Sequence, residues 1–158
     1  MRLFILIFVL ILPFQVLAGS IIDCNKSRGN EVFVLACNIY QEARSESVVG
    51  QWAVALVTKN RVESDLFPNT YKEVVWQRRG RTPQFSWTLD GKSDKVYNKQ
   101  AWHIALRIAE LLINPEIQVN DFTEGAMWYH ADYVNPSWAK KFKKLFIIGK
   151  HVFYITKE

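Results

Sequence analysis

The sequence is poor in the residues that hold metals and cross-links. It has two cysteines and three histidines in 158 residues. His103, His130 and His151 stand 27 and 21 residues apart, a spacing that matches no local zinc motif, and there is no H-E-x-x-H. No metal ligand and no cofactor is therefore assigned. Cys24 and Cys37 allow at most one bridge. No internal repeat, low-complexity segment or long linker divides the chain, which leaves one domain large enough for a real core. The apolar run from Leu3 to Leu12 falls short of the roughly 20 residues of a membrane span.

That run has another reading. "MRLFILIFVLILPFQVLAGS" begins with basic Arg2, is broken by Pro13, and places Val16 and Ala18 at the small-residue positions of a cleavage site. This is the pattern of a secretory signal peptide over residues 1–18, followed by a domain over 19–158; a retained anchor is the alternative. Either way the remainder is exported, to the periplasm or cell envelope. Removing Arg2 with the leader leaves 19 basic residues (20 less one) against 15 acidic, so the net charge falls from +5 to +4. That suits an anionic partner surface without choosing between wall, membrane and nucleic acid; export argues against nucleic acid. In an oxidising compartment Cys24 and Cys37 invite a disulfide, the alternative being two reduced, buried thiols. Nothing demands an oligomer, and a monomer is expected.

The patterning is mostly helical. "NEVFVLACNIYQEAR", residues 30–44, opens on Asn30, a good N-cap, and carries Val32, Leu35, Ala36, Ile39 and Ala43 at helical spacing. Residues 48–62 hold six consecutive apolar residues from Trp52 to Val57, which reads as a central helix apolar on nearly all sides. Residues 64–94, punctuated by Pro68, Gly80, Pro83 and Gly91, read as a long loop with a short helix near 70–77; loops of that length are often functional. Residues 94–113 read as an amphipathic helix capped by Asp94, with His103 packed beside its apolar stripe. A short basic helix is expected after Pro136. Its "AKKFKKLF", residues 139–146, is a solvated basic face or a docking patch for a membrane or wall surface. "LFIIGKHVFYI" reads as a β-hairpin turning at Gly149-Lys150. The sum is a mainly α, α+β single domain with a small C-terminal β-hairpin.

Glu42 stands out against this pattern. It falls about 60° from Ile39 around the helix, on the rim of the apolar stripe. Partial burial and the negative end of the helix dipole both favour its protonated form. A carboxylic acid kept protonated near neutral pH is what glycosidic cleavage requires, because the leaving oxygen departs poorly without a proton. The alternative is an ordinary glutamate paired with a residue such as Arg44. A two-carboxylate glycosidase needs a partner, and Glu46, Asp90, Asp121, Glu124 and Asp132 all remain open. A substrate that supplies its own nucleophile needs only the one glutamate. Trp76, Phe85, Trp87, Trp128, Tyr129 and Trp138 fall in or beside loop-rich segments, as core fillers or as platforms for sugar faces.

Eight stretches, taken in order, resemble the spore-cortex-lytic, SleB-type cell wall hydrolase family: "IYQEAR" (39–44), "GQWAVALVTKNRV" (50–62), "FPNTYKEVV" (67–75), "QFSW" (84–87), "DG" (90–91), "GAMWYH" (125–130), "PSW" (136–138) and "IGKHVFY" (148–154). The resemblance implies a lysozyme-like fold related to lytic transglycosylases. It implies cleavage of peptidoglycan between N-acetylmuramic acid and N-acetylglucosamine, with Glu42 as the catalytic glutamate. It also implies a route in which the muramic acid C6 hydroxyl attacks and a 1,6-anhydro end forms. Gln51, Gln84, Phe85, Tyr129 and His130 stand at motif positions as substrate contacts, although Gln51 can instead cap its helix and His130 can be structural. The chain lacks the wall-binding domain of the spore enzymes and looks closer to short catalytic-domain relatives, periplasmic wall-remodelling enzymes or exported endolysins. An N-acetylmuramoyl-L-alanine amidase and a silent wall-binding module are the alternative readings.

Overall fold

In the computed structural model, residues 21–26 and 28–157 are described; the signal-peptide reading of residues 1–18 lies outside them. Helix α1 spans Glu31–Ala43, and the Asn30 side chain accepts from the Phe33 N–H at 3.1 Å, the expected cap. Helix α2 spans Val48–Val62, capped by Ser47. Its Ala53 to Val57 are wholly buried, so α2 is the central helix the sequence suggested. The Thr70 hydroxyl caps α3, Tyr71–Trp76.

Helix α4 spans Lys99–Ile113 and is capped by Asn98, not Asp94. The reason lies in the N-terminal segment. The Cys24 N–H donates to the Asp94 carbonyl and the Val96 N–H to the Ile22 carbonyl. This pairing keeps residues 94–96 extended and delays the helix. His103 is exposed, contrary to the packed position expected of it: the buried face of α4 runs through Trp102, Ala105, Ile108, Ala109 and Leu112, and His103 points away from it.

Between α3 and α4 lie two-residue strands β1 (Arg78–Arg79) and β2 (Thr82–Pro83), and a 3₁₀ turn at Ser86–Thr88. The C-terminal third is more β than expected. After Pro136 only a 3₁₀ turn forms, Ser137–Lys141, and β4 begins at Phe142 and runs to Ile148. The basic helix over residues 139–146 is therefore absent. Strand β5, His151–Thr156, buries His151 to Tyr154 and has two backbone edges to satisfy. Strand β4 supplies one, turning at Gly149, whose φ of +55° suits a residue without Cβ. Strand β3, Trp128–Ala131, supplies the other, giving the order β3-β5-β4.

The main core joins α1, α2, α3 and α4; a smaller cluster of Ala53, Val57, Ala126 and Phe153 ties α2 to the sheet. Cys24 and Cys37 are bridged, with Cα atoms 5.5 Å apart, so the invited disulfide forms and staples the N-terminal segment to α1. Among the described residues no helix is long and apolar enough to cross a membrane.

Candidate active site

The last turn of α1 carries Glu42 into a groove of about 490 Å³ between the helices and the sheet. Helix α2 contributes Arg61, the 84–94 loop contributes Gln84, Phe85, Asp90 and Asp94, and the sheet contributes Tyr129, His130 and His151. The loop wall is fixed from behind. Buried Asn38 accepts from the Trp87 indole N–H at 2.9 Å and donates to the Thr58 hydroxyl at 3.2 Å. One polar residue of α1 thus holds both α2 and the 3₁₀ turn at Ser86–Thr88.

The Tyr129 hydroxyl donates to Glu42 Oε2 at 3.1 Å. Burial pushes the Glu42 carboxyl up from its ordinary 4.5 to about 6, while the Tyr129 hydrogen bond and the nearby Arg61 charge pull it partly back. Tyr129 itself is held well above its usual range, chiefly by burial and then by the Glu42 charge, so it stays a neutral donor. Arg61 is 4% exposed. Its Nε donates to the Met127 carbonyl at 2.7 Å, and the Phe67 and Phe85 rings flank its guanidinium at 5.2 and 5.1 Å. Its Nη1 has no partner. Burial lowers its pKa to about 10, so it remains cationic at neutral pH.

The two groove histidines differ. His130 Nδ1 faces the Ala131 carbonyl and Nε2 faces the Tyr154 hydroxyl, each at 2.8 Å. A carbonyl only accepts, so Nδ1 carries the proton and Nε2 accepts from Tyr154. His151 sits edge-on to Tyr129 at 5.1 Å, with Nδ1 buried and unpartnered, and burial lowers its pKa. Among the described residues no group of three His, Cys, Asp or Glu side chains is placed to hold a metal ion.

Of the residues singled out in the sequence, Glu42, Gln84, Phe85, Tyr129 and His130 all line the groove. Gln51 does not. It is buried in the first turn of α2, where its Nε2 donates to the Glu46 carbonyl at 3.4 Å; it does not cap the helix either, because Ser47 holds that place. Among the five further carboxylates, Asp90 alone lines the groove. Glu46 instead accepts from the Lys150 N–H in the β4–β5 turn, and Asp121 caps the loop before β3 through Thr123 and Gly125.

The sequence profile of the cell wall hydrolase family matches residues 45–154. The chain belongs to the cell wall hydrolase family. Its relatives include the spore cortex-lytic enzyme of Bacillus cereus, 32% identical over 125 residues that make up 78% of this chain and 44% of that protein. Another is the spore cortex-lytic enzyme of Bacillus subtilis strain 168, 31% identical over 78% of this chain and 37% of the relative. The chain spans less than half the length of these relatives. Among solved structures, the catalytic domain of the Bacillus cereus SleB protein superposes with a TM-score of 0.60 at 30% identity, covering 79% of this chain and 89% of that one. The catalytic domain of the germination-specific lytic transglycosylase SleB from Bacillus anthracis gives 0.61 at 32%, covering 80% and 95%. The chain is thus built like a SleB catalytic domain, a mainly α, α+β fold. Arg61, Tyr129, His130 and His151 fall inside the family-matched stretch, whereas Glu42 lies three residues before it starts at residue 45.

Sequence reasoning does not place Arg61, Asp94 or His151 at the site: Asp94 reads as a helix cap, and His151 is weighed only as a metal ligand. For Arg61 a signal existed: it follows Ala53, Val54 and Val57 along the buried face of a helix that hides nearly everything it carries, and a cation on such a face needs a reason.

Proposed function

We propose that the chain is an exported peptidoglycan-degrading enzyme that cuts the glycan strand between N-acetylmuramic acid and N-acetylglucosamine. Glu42 is its general acid and then its general base. The observation that carries this reading is a half-buried glutamate, hydrogen-bonded to Tyr129 and proton-holding to about pH 6, at the floor of an open groove. The names of the relatives, a lytic transglycosylase and cortex-lytic enzymes, agree with it.

The protonated Glu42 delivers its proton to the glycosidic oxygen as the C1–O4 bond breaks, and N-acetylglucosamine leaves as the alcohol. Positive charge develops at the muramyl C1. The new Glu42 carboxylate accepts from Tyr129 and faces the Arg61 charge. The muramyl C6 hydroxyl then attacks C1 while Glu42 takes its proton, closing a 1,6-anhydro ring and restoring the acid. A second reading has water attack instead, because Asp90 and Asp94 line the same groove and offer a second carboxylate.

The test is mass spectrometry of fragments released from purified peptidoglycan by residues 19–158, wild type beside Glu42→Gln. Anhydro-muramyl ends from the wild type alone are expected. Reducing muramyl ends would establish the water route, and release by Glu42→Gln at the wild-type rate would sink both. Free stem peptides, with loss of activity on chelation, would mark an amidase. Wall binding without turnover in either form would mark a silent binding module.

A further inference from the structure

The groove does not end at Glu42. Past Tyr129 and His130 it continues into a second arm of about 550 Å³. One wall is aromatic: Trp128 stacks on Phe142 at 4.0 Å, and Trp138 meets Phe142 edge-on at 5.9 Å. The opposite wall is the β1–β2 hairpin, whose Arg79 reaches the arm. Arg61 lies where the two arms join, lining both.

The arms differ in charge. Glu42, Asp90 and Asp94 line the first arm together with Arg44 and Lys92, while no aspartate or glutamate lines the second. Arg79 makes no ion pair among the described residues, and its charge lies close enough to oppose that of Arg61. Arg61 is more than nine-tenths buried, and its Nη1 is unpartnered. Glu42 faces Arg61 from the first arm, but on the second arm's side two neighbouring cations and an orphaned guanidinium N–H meet a flat aromatic wall with no acid in its lining, a surface suited to an anion. A guanidinium pairs best with a carboxylate held in a fixed geometry.

We propose that the second arm takes the acidic peptide stem borne by the muramyl residue next to the cut bond. Arg61 and Arg79 hold its carboxylates, and Trp138 and Phe142 cover its aliphatic side. This rests on the glycan-cleaving reading of the same groove. It makes the protein selective for strands that still carry their peptides.

The probe is a soluble disaccharide–tetrapeptide and the same disaccharide stripped of its peptide, titrated calorimetrically into the Glu42→Gln protein, which binds without turnover. The peptide-bearing form is expected to bind about tenfold tighter at low salt, an advantage that shrinks as salt rises. Arg79→Gln in the same background should bring the ratio down to about twofold or less, and Arg107→Gln, on the far helix α4 and paired with Glu110, should leave it unchanged. Equal affinity for the two disaccharides, or a ratio that survives Arg79→Gln, overturns the proposal. The ratio reads binding alone. If wild type cuts no glycan yet the ratio holds, the catalytic reading falls and the stem site stands. If wild type cuts glycan and the ratio is one, the stem site falls and the catalytic reading stands.

Discussion

Glu42 holds its proton further into the neutral range than a free glutamate because protein surrounds it on most sides, and the Tyr129 hydroxyl and Arg61 charge recover only part of that cost. The sign for stability follows. Between pH 4.5 and about 6 the unfolded chain has lost this proton while the folded one keeps it, so the native state loses stability as pH rises through that window. Above it the penalty is complete, at about 2 kcal/mol. Glu42→Gln should therefore melt higher than wild type at pH 8 and the same at pH 4, in calorimetric scans, while kcat/KM on peptidoglycan falls about a thousandfold. For the wild type kcat/KM should decline above about pH 6, where the acid empties. Tyr129→Phe removes a hydrogen bond made to the carboxylate, so its pH–rate limb should move to higher pH. A limb that stays in place would show that Tyr129 does not set the Glu42 titration.

At the scale of elements, the groove depends on one buried network. Asn38, Thr58 and Trp87 join α1, α2 and the 3₁₀ turn at Ser86–Thr88. Asn38→Ala leaves the Trp87 N–H and the Thr58 hydroxyl short of a partner and opens a small cavity. A loss of about 3 kcal/mol in denaturant unfolding is expected. Activity should fall further than the folded fraction does, since Trp87 and its neighbours form a groove wall. Helix α1 was legible because its apolar spacing and its cap, Asn30, agree, and α2 because its run of six apolar residues marks a helix buried on nearly all sides. The strands after Pro136 were not. "AKKFKKLF" has a local pattern that a helix also satisfies, and only the need of β5 for a partner on each edge turns it into β4. Strand β3 has four residues, too few for an alternation to register.

The whole molecule is stapled once, between Cys24 and Cys37, 13 residues apart. Replacing both by alanine should cost about 3 kcal/mol, mostly through a freer unfolded chain. It should also loosen the pairing of residues 22–24 with 94–96 beside the groove, read as faster amide exchange at Val96. The sequence by itself determined the fold class, the central helix and the glutamate at the rim of α1, because each is a local matter of period, cap or chemistry; whether Cys24 and Cys37 bridge stayed open until the fold brought their Cα atoms to 5.5 Å. Tertiary structure alone decided which groups meet Glu42. Tyr129 is 87 positions away, and Arg61 reaches the groove only because α2 runs through the centre of the molecule. It also decided that Gln51 turns inward, that Asp94 lines the groove instead of starting a helix, and that the basic run divides between a 3₁₀ turn and β4. Those outcomes follow from backbone pairing and close packing between distant segments, which no local pattern records.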